Sequence, residues 1–249
     1  MSKISTAAFQ AAMEVAQSTQ VSKLREPEFK LYGKSSKKMR ALMNLLGSKA
    51  QAYIEFGVGY GSTLLATMCH NKHLKATAIE NYYYDDIEKE QYNPDGWNNM
   101  KVTYTNMMDK YINGTDKAVI KSNLKFIEED FKKVNYIGLP KHDLCLFDIQ
   151  PVTEENFDFF FSEAIKSLHL DAVVIFTGIS EITTANLLSN YIKKHINVEK
   201  EYIHTSQSTF DDTQFYSGIW AIKMKNYVCA NQPKKTVKKN VEKKRNKSN

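Results

Sequence analysis

The sequence predicts an α/β protein: a seven-stranded, mostly parallel sheet with helices on both faces and an antiparallel hairpin at its end. Three observations predict it. Short runs rich in β-branched and aromatic residues alternate with longer stretches of helical spacing, the pattern of crossover units on a parallel sheet. Three glycines crowd the turn between the first run and the helix after it, in AYIEFGVGYGSTLLATM from residue 52. The last two runs are joined only by TSQSTFDDTQ, which suits a hairpin and not a crossover.

Residues 1–34 read as a helical extension. Their start, MSKISTAAFQAAMEVAQ, is amphipathic and lacks the continuous apolar stretch and cleavage site of a secretory signal. A helix is expected over 35–46, opened by serine and stopped by Gly47. Strands at 52–56 (AYIEF) and 75–80 (KATAIE) then bracket a helix at 62–70. Residues 81–123 break the alternation, being long, polar and aromatic and interrupted by Pro94, Gly96 and Gly114. They read as an insertion with short helices after the second strand, placed to form a wall or lid, since open α/β sheets bind ligands at the carboxyl ends of their strands. Its Tyr82, Tyr83, Tyr84 and Trp97 either line a planar ligand or pack the insertion onto the domain. Strands follow at 124–128, 143–148 and 171–177, helices at 154–168 and 180–195, the latter also opened by serine, and strands at 198–204 and 215–224. One domain over residues 35–227 results, with no internal repeat.

At 249 residues, 42% hydrophobic and 25% charged, the chain has the composition of a globular domain, and no apolar run approaches the ~20 residues of a membrane span. Three cysteines, Cys69, Cys145 and Cys229, lie far apart, form no CxxC pair and support neither a disulfide framework nor a zinc knuckle. A reducing, cytoplasmic setting is expected. The net charge of +6 belongs to the end of the chain: residues 231–249 hold eight Lys/Arg and one Glu, and the remainder 26 basic and 27 acidic residues. A disordered basic tail over 228–249 is expected, either a solubilising terminus or a tether to RNA or another polyanion.

Glycine tolerates unusual φ/ψ and lets backbone approach a ligand, which explains Gly57, Gly59 and Gly61. The dinucleotide fingerprint G-x-G-x-x-G is not met, because Ser62 stands where its third glycine belongs.

The run EFGVGYG at residues 55–61 matches in full the motif E/D-x-G-x-G-x-G, and here the chain resembles the class I S-adenosylmethionine-dependent methyltransferases, a Rossmann-like family. The resemblance spans about residues 35 to 225 and includes the strand order ending in a hairpin. It implies S-adenosyl-L-methionine as cofactor, with the glycine loop around its methionine part and Glu55 beneath. Glu80, nineteen residues after Gly61, is implied to accept from both ribose hydroxyls, Asp130 from the adenine amine, with Phe131 covering the ring.

Asp148 ends the fourth strand in HDLCLFDIQP, where that family presents groups to the transferring methyl, and is the catalytic candidate, as base, as orienting group or as metal ligand. The layout is nearest to small-molecule and sugar O-methyltransferases. Their paired acids after the fifth strand are replaced by Thr177-Gly178, so no catalytic metal is expected. DLCLFDIQP, from Asp143 to Pro151, is also similar to the ribose 2′-O type, without that type's lysine, and DIQP is not the DPPY of amino-directed enzymes. His142, His169, His195 and His204 read as structural more readily than catalytic. The leading reading is O-methylation of a small molecule or sugar; the alternatives are an RNA-directed enzyme using the basic tail and a cofactor-binding module without catalysis.

Overall fold

The computed structural model describes residues 1–18, 22–31, 33, 35–82, 100–112, 114–206, 214–215 and 217–228. Tyr83, Tyr84, Trp97, Cys229 and the basic tail from residue 229 lie outside the described residues. The elements in chain order are α1 (Thr6–Ser18), the single turn α2 (Glu26–Phe29), α3 (Lys37–Gly47), β1 (Ala52–Phe56), α4 (Ser62–Met68) and β2 (Lys75–Glu80). Next come α5 (Met100–Tyr111), α6 (Gly114–Asn123), β3 (Leu124–Glu128), β4 (His142–Phe147), α7 (Glu154–Ser162), β5 (Leu168–Thr177), α8 (Ile182–His195), β6 (Ile196–His204) and β7 (Ile219–Tyr227).

The seven strands form one sheet in the order β3-β2-β1-β4-β5-β7-β6. The first five are parallel, and β7 lies antiparallel between β5 and β6. This is the seven-stranded Rossmann-like fold with a terminal antiparallel hairpin. Because side chains alternate across a strand, the central strands feed two cores. Tyr53, Leu144, Leu146, Val173 and Ile175 face a layer built from α1 and α3 to α6; Ile54, Phe56, Cys145, Phe147, Val174 and Phe176 face α7 and α8. The second core is largely aromatic: Phe160, fully buried, packs on Phe56, Phe147, Phe161 and Phe176 with centroids 4.7–5.9 Å apart. Among the described residues no helix is long and apolar enough to cross a membrane.

Local chemistry explains most boundaries and corrects some expectations. Ser36 caps α3 by accepting from the Met39 amide. Gly47 does not cap it; it is the last residue of α3, and a Cβ there would lie 2.8 Å from the Thr67 carbonyl of α4. Helix contact, not a left-handed turn, is what this glycine permits. Asn44 and Asn71 join the same pair, Asn44 donating to the Ala66 and Cys69 carbonyls and Asn71 to those of Asn44 and Thr67. At α8 the residue before the helix is Glu181, with no side-chain cap, so the expected serine cap is absent. The helix expected over 154–168 divides into α7 and a 3-10 turn, Ala164–Ser167. In the stretch read as an insertion, α6 runs straight into β3 and makes the β2–β3 crossover.

The hairpin places β6 at the sheet edge, where Asn197, Glu199 and Glu201 are exposed. Helix α1 reaches it through the Phe9–Tyr202 ring contact at 5.5 Å and the Thr6 hydroxyl, which donates to Glu199 at 2.5 Å.

The amino ends of the strands are tied by polar groups. Asp143, 2% exposed, accepts from the amides of Lys3, Gln51 and Ala52 at 2.8–3.0 Å. His142, 1% exposed, has Nδ1 3.0 Å from the Ser167 carbonyl and Nε2 3.0 Å from the Thr77 hydroxyl. A carbonyl only accepts, so Nδ1 carries the proton and Nε2 accepts from Thr77. Burial pushes this imidazole down to about 4. The unfolded chain binds a proton near pH 6.5 and the folded one does not, so stability held above pH 6.5 is lost as the pH falls toward 4. Between pH 7.5 and pH 5, wild-type protein is expected to lose about 2 kcal/mol more than His142→Gln in urea unfolding; equal losses would show that His142 does not drive the difference.

Candidate functional site

The site lies where β1 is flanked by β2 on one side and β4 on the other, the switch point of the sheet. The loop from Gly57 to Gly61 leaves β1 there and enters α4. At Gly57, φ is +79° and a Cβ would fall 2.3 Å from the Asp148 carbonyl oxygen, so only glycine lets the loop pass against the end of β4. Gly61, also at +79°, is the N-cap of α4, and a Cβ there would fall 2.3 Å from the Tyr104 ring. Gly59 contributes its amide, which donates to Glu80 Oε2 at 2.7 Å.

Three carboxyl groups surround this loop. Glu55, 1% exposed, accepts from the Tyr53 hydroxyl. Burial pushes it well above the usual carboxylate range; the Tyr53 bond opposes this, and the charges of Asp148 and Glu80 add to it. Burial thus favours the protonated form of Glu55. Glu80, 5% exposed, ends β2 and accepts from the Gly59 amide and, through Oε1, from the Tyr82 amide at 2.8 Å. A carboxylate has about four acceptor positions, so each oxygen keeps one for a ligand. Asp148 follows β4, is half-buried and accepts from the Thr177 hydroxyl at the end of β5. The position at which paired acids are missing thus carries the donor that orients Asp148.

The structure brings Glu55, Gly57, Gly59, Gly61, Glu80 and Asp148 together. Asp130 accepts from the Lys132 amide at 2.9 Å and caps the turn Phe131–Lys133. Phe131 is buried edge-on against Phe56, Phe147 and Phe159 at 5.4–6.4 Å, in the aromatic core below the strand ends. Asp143 lies at the opposite end of β4 from Asp148, which gives the two acids of DLCLFDIQP separate tasks, anchoring and site. Of the histidines considered, His142 is buried at that far end, His169 lies 4.0 Å from Asp143, His195 stacks on Phe161 and His204 contacts Gln214.

Two groups escaped the sequence reading. Tyr104 comes from α5, where its i, i+3, i+4 spacing with the buried Met107 and Met108 was the available signal. His70, at φ +60°, sets Nε2 3.0 Å from Glu28 and Nδ1 3.1 Å from Asp116, bridging α2 and α6. Burial opposes the charge on Glu28, but donation from Arg25 and His70 outweighs it and holds the carboxyl below its ordinary range. One atom each of Glu28, His70 and Asp116 lie within 4.8 Å of one another, and the two ring nitrogens join the carboxyl groups of α2 and α6 as a clamp between segments.

No protein-family model and no curated protein matches the chain. Solved structures similar to it include an SAH-bound methyltransferase from Podospora anserina, at 12% identity over 88% of each chain with a TM-score of 0.49. A tRNA methyltransferase from Aquifex aeolicus has 14% identity over 86% of this chain and 75% of its own, with a TM-score of 0.48. A precorrin-6y methyltransferase from Geobacter metallireducens has 14% identity over 78% of this chain and 90% of its own, with a TM-score of 0.45.

The loop geometry has a measurable consequence. Gly57→Ala places a methyl group against backbone that cannot swing aside and holds alanine in the left-handed region, and is expected to destabilise by at least about 2 kcal/mol in urea unfolding. Gly114→Ala, where nothing lies within 4 Å of the added Cβ, should cost little or stabilise.

Proposed function

We propose that the chain is a class I methyltransferase that uses S-adenosyl-L-methionine and methylates oxygen on a small molecule or sugar. The observation that carries this reading is the ring of three carboxyl groups around a glycine loop. A pyrophosphate would be repelled by Glu80 and Asp148 and would force Glu55 to stay neutral, whereas a cation relieves all three. The groups fit a nucleoside that carries an amino acid: a buried acid beneath the loop and a two-oxygen acceptor at Glu80 with positions left for vicinal hydroxyls.

When bound, S-adenosylmethionine supplies a methyl group activated on sulfonium, open to in-line displacement. The protein's own part is to position and to move one proton. Glu80 holds the sugar end and the glycine loop fixes the amino-acid end, which together set the orientation of the reacting groups. Asp148, oriented by the Thr177 hydroxyl, accepts the proton of the acceptor hydroxyl as the new C–O bond forms. Asp130 and Phe131 are assigned to the adenine end, one as acceptor for the amine and the other as apolar cover. A second reading, an RNA acceptor, is favoured by one observation, the eight Lys/Arg of residues 231–249.

Calorimetric titration of purified protein with S-adenosylmethionine is expected to show binding that Gly59→Arg abolishes and that NAD does not reproduce; no binding to wild-type protein would sink the reading. Burial raises the affinity of Glu55 for its proton and a cationic ligand lowers it, so binding is expected to release more protons from wild-type protein than from Glu55→Gln, measured in buffers of different ionisation enthalpy. In metabolite and RNA pools that yield S-adenosylhomocysteine, Asp148→Asn should slow its release by about 10²- to 10⁴-fold while still binding cofactor. Turnover confined to RNA, with salt-sensitive binding lost on deleting residues 231–249, would replace the small-molecule acceptor by RNA.

A further inference from the structure

Two tyrosine hydroxyls beside the glycine loop, Tyr82 Oη and Tyr104 Oη, are buried without a hydrogen-bond partner among the described residues. Such groups are rare, because a buried hydroxyl that makes no bond is less favourable than a bare ring in the same place. Here two occur together. Both rings pack on Phe126 of β3, Tyr82 stacked at 6.0 Å and Tyr104 tilted at 5.8 Å. Tyr104 is 8% exposed and its ring lies against Gly61. Tyr82 follows the end of β2, gives its amide to Glu80, and feels the charge of that carboxylate at its hydroxyl. Tyr82 is also at φ +51°, left-handed backbone that a non-glycine residue occupies only under constraint.

The acids around the loop are mainly acceptors, and a nucleoside that carries a free amino acid also has acceptors of its own, a carboxylate and sugar oxygens, that need donors. Tyrosine hydroxyls supply donors without adding charge. We propose that the Tyr82 and Tyr104 hydroxyls bind the ligand directly, Tyr82 at the sugar end beside Glu80 and Tyr104 at the amino-acid end over Gly61. The inference rests on the cofactor reading above and deepens it: Tyr104 of α5 and Tyr82, two residues after β2, form part of the binding site. The cost of two unsatisfied hydroxyls in the free protein is then recovered when ligand binds.

The test uses S-adenosylhomocysteine and adenosine as probes, titrated calorimetrically into the full-length wild-type, Tyr82→Phe, Tyr104→Phe and Tyr227→Phe proteins, with thermal midpoints recorded for each. Tyr104→Phe is expected to weaken S-adenosylhomocysteine by roughly 3- to 10-fold and leave adenosine unchanged; Tyr82→Phe should weaken both by a similar factor. Neither should lower the midpoint of the free protein, because the hydroxyl removed has no internal bond. Tyr227, whose hydroxyl donates to the Ile165 and Leu168 carbonyls at 2.8 and 2.9 Å, behaves oppositely, with a lower midpoint and unchanged affinities. Unchanged affinity for S-adenosylhomocysteine in both Tyr82→Phe and Tyr104→Phe overturns this assignment and leaves the cofactor reading standing. So does a lowered midpoint in either, since it reveals a partner within the protein. Wild-type protein that binds neither probe overturns both.

Discussion

The arrangement of the site depends on one missing atom, the Cβ of Gly57. Its place is filled by the carbonyl of Asp148, so β1 and β4 remain joined to their ends, with the Asp148 amide donating to Phe56 at 2.9 Å. From that contact the loop is thrown sideways toward β2, where the Ile79 carbonyl receives the Gly57 amide at 3.1 Å and Glu80 receives that of Gly59. Three strands thereby deliver one acid each to the same few ångströms. A side chain at Gly57 would separate the strands that make this convergence.

Bringing three carboxyl groups together has an electrostatic cost that the surroundings divide unevenly. Glu80 accepts from two backbone amides and Asp148 from a hydroxyl. Glu55 is left in the driest place with a phenol for company, where burial favours its protonated form. One buried acid beneath the loop and two hydrogen-bonded acids at its rim make a site whose charge adjusts to what enters it.

The sheet was legible because its strands obey a single rule: runs such as AYIEF and KATAIE are buried on both faces, and their limits, 52–56 and 75–80, agree with the structure. The boundaries that shifted belong to elements whose ends are decided by tertiary contact. Gly47 reads as a stop in sequence and serves as a contact point between helices, while β7 begins four residues later than its apolar run. The glycines and Glu55 could be named because a tight turn and an acid beside it are local facts, and Glu80 and Asp148 were named through the resemblance that this motif carries. Tyr104 and His70 could not, since each acquires its role from a residue far away in the chain, Gly61 for one and Glu28 with Asp116 for the other. Asp143 and Asp148 are alike in sequence and differ only by the end of β4 on which they fall.

The hairpin leaves β6 as the outer strand, and an outer strand is a template on which a second molecule can build. The alternation of β6 sets Asn197, Glu199 and Glu201 outward, and α1 lays Phe9 and Thr6 across it. Another strand docking there would have to bury carboxylates and displace a helix. At this edge, the one opposite β3, the segment that closes the sheet therefore discourages its growth from one molecule to the next.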